Sequence, residues 1–147
     1  MIRASVERWE GSPLERAGKD ELDVVDAATA VGLVGAIEGD ECSMASFEDP
    51  ASGQFFHASC SAGRYAINAR GADEKYFFRV RECPEGRRER LWIAGFEWEL
   101  DCRFVLDRAA AQAAIAELFG ASGLDFASGR WEAASPGPDA RPIGAPR

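Results

Sequence analysis

A chain of 147 residues is long enough for one domain with its own core, and 46% hydrophobic with 29% charged residues excludes disordered and low-complexity classes. The formal net charge of −8 at pH 7 excludes nucleic acid and anionic membrane as partners, because both require cationic surfaces.

The imbalance is local. Residues 1–50 carry twelve acidic and four basic side chains, whereas the remainder carries thirteen of each. Between Asp20 and Gly63 there are nine acids and no Lys or Arg. The N-terminus "MIRASVERWE" lacks the apolar core of a secretory signal, and no run of about 18 apolar residues occurs, so the expected location is the cytoplasm where the chain is made.

"IRASVERW" reads as a first strand and "EGSPLERAGKDE" as a loop, punctuated by Gly, Ser-Pro and clustered charge. From Glu21 to about Ile37, apolar residues at Leu22, Val25, Leu33 and Ala36 follow a period near 3.6 and predict the first helix, with Gly32 and Gly35 weakening it. "ECSMASFE" and "QFFHASC" are short strands separated by "DPASG". In "RYAINAR", Tyr65, Ile67 and Ala69 face one way and Arg64, Asn68 and Arg70 the other; in "KYFFRVR", Tyr76, Phe78 and Val80 oppose Phe77, Arg79 and Arg81. Phe77 thus falls on a polar face, either as a protein contact or under a second packed layer.

Leu91–Ala94 predicts a short strand, and "FEWELDCRF" a long one, in which Phe96, Trp98, Leu100, Cys102 and Phe104 alternate with Glu97, Glu99, Asp101 and Arg103. Its outer face would carry three carboxylates at ~7 Å intervals. Asp107 stands at an N-cap position before a stripe of Ala111, Ala114, Ile115, Leu118 and Phe119, with Gly120 placed to stop the helix. After a loop comes Trp131, and then "AASPGPDARPIGAPR", with four prolines in fifteen residues. The expectation is an α+β domain over residues 1–132, an antiparallel meander sheet of about five to seven strands with one N-terminal and one C-terminal helix packed on it. A Pro/Gly-rich mobile tail follows over residues 133–147.

Cys42, Cys60, Cys83 and Cys102 form no CxxC pair, which predicts reduced, mostly buried thiols and no metal centre. His57 is the one histidine, so general-base chemistry near neutral pH would rest on it; on a strand its side chain points away from that of Cys60, and a structural histidine is the simpler reading. Glu97 and Glu99 could serve as an acid–base pair, but their regular alternation places them on a solvated sheet face where nothing splits their pKa values. No phosphate-loop, dinucleotide, nucleophile-elbow or zincin motif occurs, so no catalytic residue and no cofactor are expected.

The order of parts closes on "ELFGASG" and "GRWE", with Phe119, Ser122 and Gly123 forming an F-x-x-[ST]-G step and Trp131-Glu132 ending the domain. Over Leu91–Glu132 this resembles the ending of Imm1-type immunity proteins of bacterial polymorphic toxin systems. The link from Gly123 to Trp131 lacks the proline often found there, and the tail is additional. The resemblance implies a small acidic α+β protein, not an enzyme, that binds and neutralises a cognate toxin, some such toxins being nucleic-acid deaminases. A toxin of that kind has a cationic active-site cleft, which an acidic surface can occlude. Two acidic surfaces are available for it: Asp40, Glu41, Glu48 and Asp49 in the stretch without basic residues, and the row Glu97, Glu99 and Asp101. Two other readings remain open, a small-molecule-binding domain or enzyme with a pocket around His57, and a secretion-system adaptor or chaperone.

Overall fold

Apolar side chains at every second position of the middle strands require a cover, and two helices supply it on one side of a single antiparallel sheet. The computed structural model describes residues 1–133, apart from Pro13, Val25, Glu74 and Glu85, together with residues 140–143. In chain order the elements are β1 (Ile2–Glu10), β2 (Glu15–Val24), α1 (Ala27–Ala36), β3 (Cys42–Glu48), β4 (Phe55–Ser61), β5 (Arg64–Arg70), β6 (Tyr76–Arg79), β7 (Arg88–Ile93) and β8 (Phe96–Asp101). A 3-10 turn (Cys102–Phe104), α2 (Arg108–Leu118), β9 (Trp131–Ala133) and β10 (Ala140–Pro142) complete the set.

The larger sheet has the order β2-β1-β3-β4-β5-β6-β9, every neighbouring pair antiparallel, and β10-β8-β7 form a smaller second sheet. This is the expected α+β class. Phe47, Phe56, Ala58 and Ile67 rise from the central strands onto Val34 of α1 and Ile115 of α2, and all are fully buried. Tyr65 joins the same core and donates its hydroxyl to the Val34 carbonyl at 2.6 Å, so its one polar atom is satisfied. Both helices start at capping aspartates: Asp26 accepts from Thr29 N and Asp107 from Ala110 N, each at 2.8 Å.

On its opposite face the larger sheet is covered only in part. Leu91 and Leu100 of the β7–β8 hairpin pack with Ala66, Phe78, Phe104 and Val105 in a second, smaller core. The hairpin turns through Ala94 (φ 52°) and Gly95 (φ 87°), the left-handed pair that a two-residue turn demands. A side chain on Gly95 would stand 3.2 Å from the Trp9 ring, so the hairpin tip is docked closely against the end of β1.

Several expectations need correction. Glu15–Val24 is neither loop nor helix: it pairs along the whole of β1, from Ile2↔Val24 to Glu10↔Glu15. As an edge strand it is wet on both faces and has no alternation, so its pairing to β1 outweighs its weak local signal. The first helix begins at Ala27, and Val25 lies outside the described residues. β8 stops at Asp101, whose carboxylate accepts from Arg103 N at 3.0 Å and turns the chain, while Cys102 and Phe104 stay buried as their alternation predicts. Phe77 points to the helix side, stacked on Phe126 with centroids 4.3 Å apart, and Tyr76 and Phe78 take the other face. Cys83 and Cys102 form a disulfide with Cα atoms 6.0 Å apart, against the expectation of four reduced thiols; only the tertiary fold brings these distant positions together. Cys42 and Cys60 are free and buried. Within the tail, Ala140–Pro142 pair with β8, and the rest of residues 134–147 except Ile143 lies outside the described residues.

Trp131 returns on β9 as a short edge strand, opposite Arg79 of β6, and closes the helix-side core. Arg79 is 7% exposed, reaches Glu117 Oε2 at 2.6 Å and Oε1 at 3.2 Å, and lies over the Trp131 ring at 5.2 Å. Glu117→Ala should therefore cost about 3 kcal/mol in urea unfolding, the low end for stranding a buried charge, because Glu117 keeps some water contact. Glu117→Gln should recover part of that loss.

Candidate binding face

Residues opposite one another in antiparallel strands share a face, so reading across the register lays out the side of the sheet turned away from the helices. One transverse row crosses six strands: Asp23, Arg3, Glu48, Phe55, Arg70 and Tyr76 are successive Cα partners. The next row runs Glu21, Ser5, Ser46, His57, Asn68, Phe78 and Glu132. In the row after that, Ser59 and Ala66 are already buried, and nearby Ser61 Oγ accepts from Trp92 N of the second sheet at 3.3 Å. The second sheet therefore covers one half of this face, reaching Phe78 in the second row, and leaves the first row and the second row from Glu21 to Asn68 open.

Aromatic and cationic groups meet at the centre of the open half. The Arg70 guanidinium carbon lies 5.6 Å from the Phe55 ring centre and 5.8 Å from that of Tyr76. The Phe55 and His57 rings are 4.3 Å apart, and His57 Nδ1 sits 3.0 Å from Met44 Sδ. Tyr76 is 42% exposed. No carboxylate among the described residues pairs with Arg70, and its Nε and the neighbouring Asn68 Oδ1 are buried without a hydrogen-bond partner there. Burial first, and the Arg70 charge second, push His57 down to about 4, so it is neutral at physiological pH. Its protein contacts are a thioether and a phenyl ring, with no carboxylate orienting it among the described residues, so the nucleophile–base–acid chain of hydrolases is not assembled around it.

At the β2 edge, Glu21, Asp23 and Glu48 surround a depression of about 390 Å³, with Arg3, Leu22 and Phe55 also lining it. Asp23 and Glu48 have no cationic partner among the described residues, while Glu21 stands 3.5 Å from Lys19.

The carboxylates singled out in the sequence are scattered. Glu48 belongs to the open face. Asp49 is committed to the β3–β4 turn, where Oδ2 accepts from Ser52 Oγ at 2.7 Å and Oδ1 from Ala51 N at 3.0 Å; these bonds, that to Ser52 first, hold its carboxyl below its ordinary range. Asp40 pairs with Arg8 Nε at 3.1 Å, and exposed Glu41 follows it, at the other end of β3 and roughly 20 Å from Glu48. Glu97 meets Arg90 at 3.4 Å, Glu99 meets Arg88 at 3.5 Å, and Asp101, 8% exposed, meets Arg103 at 3.3 Å. The row on β8 is thus matched by arginines and is separate from the acids of β2 and β3. The residues missed in the sequence are Arg3, Glu21, Asp23, Phe55, Arg70 and Tyr76; the partial signal was the alternation of "RYAINAR", which puts Arg70 on the polar face with Asn68, while the neighbours Phe55 and Tyr76 are set by strand pairing.

No family model and no curated protein matches the chain. Among solved structures it is similar to a hypothetical protein from Neisseria gonorrhoeae, with a TM-score of 0.57 and 13% identity over 80% of this chain and 86% of that one. At that identity the likeness shows the fold alone.

The environment of His57 fixes a pH response. Folded His57 takes up its proton only near pH 4, whereas an unperturbed histidine does so near 6.5. Stability should be full above pH 6.5 and fall as pH drops towards 4, by up to roughly 3 kcal/mol, as read by urea midpoints. Arg70→Gln should raise the NMR titration midpoint of His57, since it removes the like charge.

Proposed function

We propose that the chain is a protein-binding domain without catalytic chemistry, an immunity-type inhibitor acting in the cytoplasm that occludes the cationic active-site cleft of a protein toxin. The observation that carries this reading is the open half-face. It joins Asp23 and Glu48, carboxylates without a cationic partner among the described residues, to an arginine set between aromatic rings, the residue mix that protein interfaces concentrate. The resemblance of Leu91–Glu132 to the Imm1-type ending supplies the biological class. Carboxylates presented to a cationic cleft would raise the association rate by steering, and that contribution weakens with salt.

A toxin gene is expected immediately upstream of the gene for this chain, and co-expression of the two products gives the assay. Asp23→Lys combined with Glu48→Lys should weaken the complex by about tenfold or more at low salt, with thermal stability retained. Glu97→Lys with Glu99→Lys should change affinity little, because those carboxylates already have arginine partners. Unchanged binding of the Asp23/Glu48 variant by calorimetry would sink the proposal.

A further inference from the structure

Most arginines placed among acids hold them: Arg8 with Asp40, Arg79 with Glu117, Arg90 with Glu97, Arg108 with Glu38. Arg3 and Arg70, both in the open row, are the exceptions that bear on the face, and Arg70 alone of the two sits beside aromatic rings. Arg70 is half-buried between Phe55 and Tyr76, yet no carboxylate among the described residues reaches it. Two residues before it on the same face, the buried Asn68 carbonyl oxygen is also without a partner among the described residues. A guanidinium without an acidic partner among the described residues, set between the Phe55 and Tyr76 rings above a buried polar group, is a receptor placed in advance of its ligand.

We infer that Arg70, between Phe55 and Tyr76, is the anchor of the binding face and receives an aspartate or glutamate side chain of the protein partner at the outward side of its guanidinium. The identity of that partner rests on the proposed function. A planar carboxylate matches the guanidinium fork in two parallel hydrogen bonds, and the rings on either side exclude water from the pair. The register argues for a carboxylate and against a phosphate polymer. Glu48 lies two strands from Arg70, about 10 Å away, and Asp23 lies four strands away, about 19 Å. A chain of phosphates reaching Arg70 would run against Glu48, the next charge along the row, whereas a folded protein can offer acids at Arg70 and Arg3 and basic groups at Glu48 and Asp23. The face therefore reads a partner of alternating sign, and Arg70 sets the direction in which that partner lies.

The anchor can be tested on the isolated chain by NMR, following the Arg70 Nε–H and Asn68 side-chain amide signals. The probe is the capped tripeptide acetyl-Gly-Glu-Gly-amide, with acetyl-Gly-Gln-Gly-amide and inorganic phosphate as comparisons. Arg70 and Asn68 should respond saturably to the glutamate peptide at concentrations about fivefold or more below those that move exposed Arg16 and Arg90, with no saturable response to the glutamine peptide. Arg70→Lys, which keeps the charge but not the fork, should weaken that response several-fold. Arg70→Gln should abolish it in a chain whose spectrum stays dispersed. A uniform response of all arginines, an equal response to the glutamine peptide, or tighter binding of phosphate would each overturn the inference. Because the peptide experiment needs no toxin, failure there while Asp23→Lys/Glu48→Lys still weakens the complex removes the anchor and leaves the proposed function standing.

Discussion

Burial of one face of the seven-stranded sheet holds the register on which everything else depends. Phe47, Phe56, Ala58 and Ile67 must all lie under α1 and α2. A slip of one residue in any central strand would turn these into water and drive His57, Asn68 or Arg70 into the helix-side core. Each such exchange costs several kcal/mol, through lost apolar burial and through desolvated polar groups. The row from Asp23 to Tyr76 is therefore not built by contacts among its own members. It is the reverse side of a hydrophobic decision made on the other face.

The two faces are covered unequally, and the difference creates the site. The two helices and, at the β6–β9 end, the loop residue Phe126 cover the apolar face, whereas the β7–β8 hairpin, docked through Leu91, Leu100 and the Gly95 turn against Trp9, extends over only half of the other. Side chains under the hairpin are small or apolar, as at Ser59 and Ala66; beyond its edge they become charged and aromatic. Electrostatics then sorts the acids. Arginines on β7 and beside the 3-10 turn engage the carboxylates of β8, Arg8 engages Asp40, and backbone and hydroxyl donors engage Asp49. Asp23 and Glu48 emerge from this sorting without cationic partners among the described residues, and Arg70 emerges without an acidic one.

Local pattern carried much of the fold. β5 was legible residue for residue from the alternation of "RYAINAR", and α2 from the Asp107 cap and the stripe through Ile115 and Leu118. Trp131 was legible as an edge strand closing the core. β2 was not, because a strand wet on both faces has no period to read. Phe77 was not, because with both faces of the sheet packed an aromatic beside arginines can belong to either core. The acids of "FEWELDCRF" were legible as one row, but not as a solvated one: Asp101 is buried and Glu97 and Glu99 are half-buried, because arginines reach them across a strand pairing that the segment does not contain.

The amino-acid sequence by itself determined the α+β class, the central strands, the second helix and an acid excess in the first third of the chain, because periodicity, capping and charge are local or additive properties. Tertiary structure alone decided that Cys83 meets Cys102, that most of the predicted carboxylates already have partners, and that Asp23, Glu48, Phe55 and Arg70 share one row. Each of those outcomes is a distance between residues far apart in the chain. Such distances are set by which strands pair and how far a covering hairpin reaches, and no single segment encodes either.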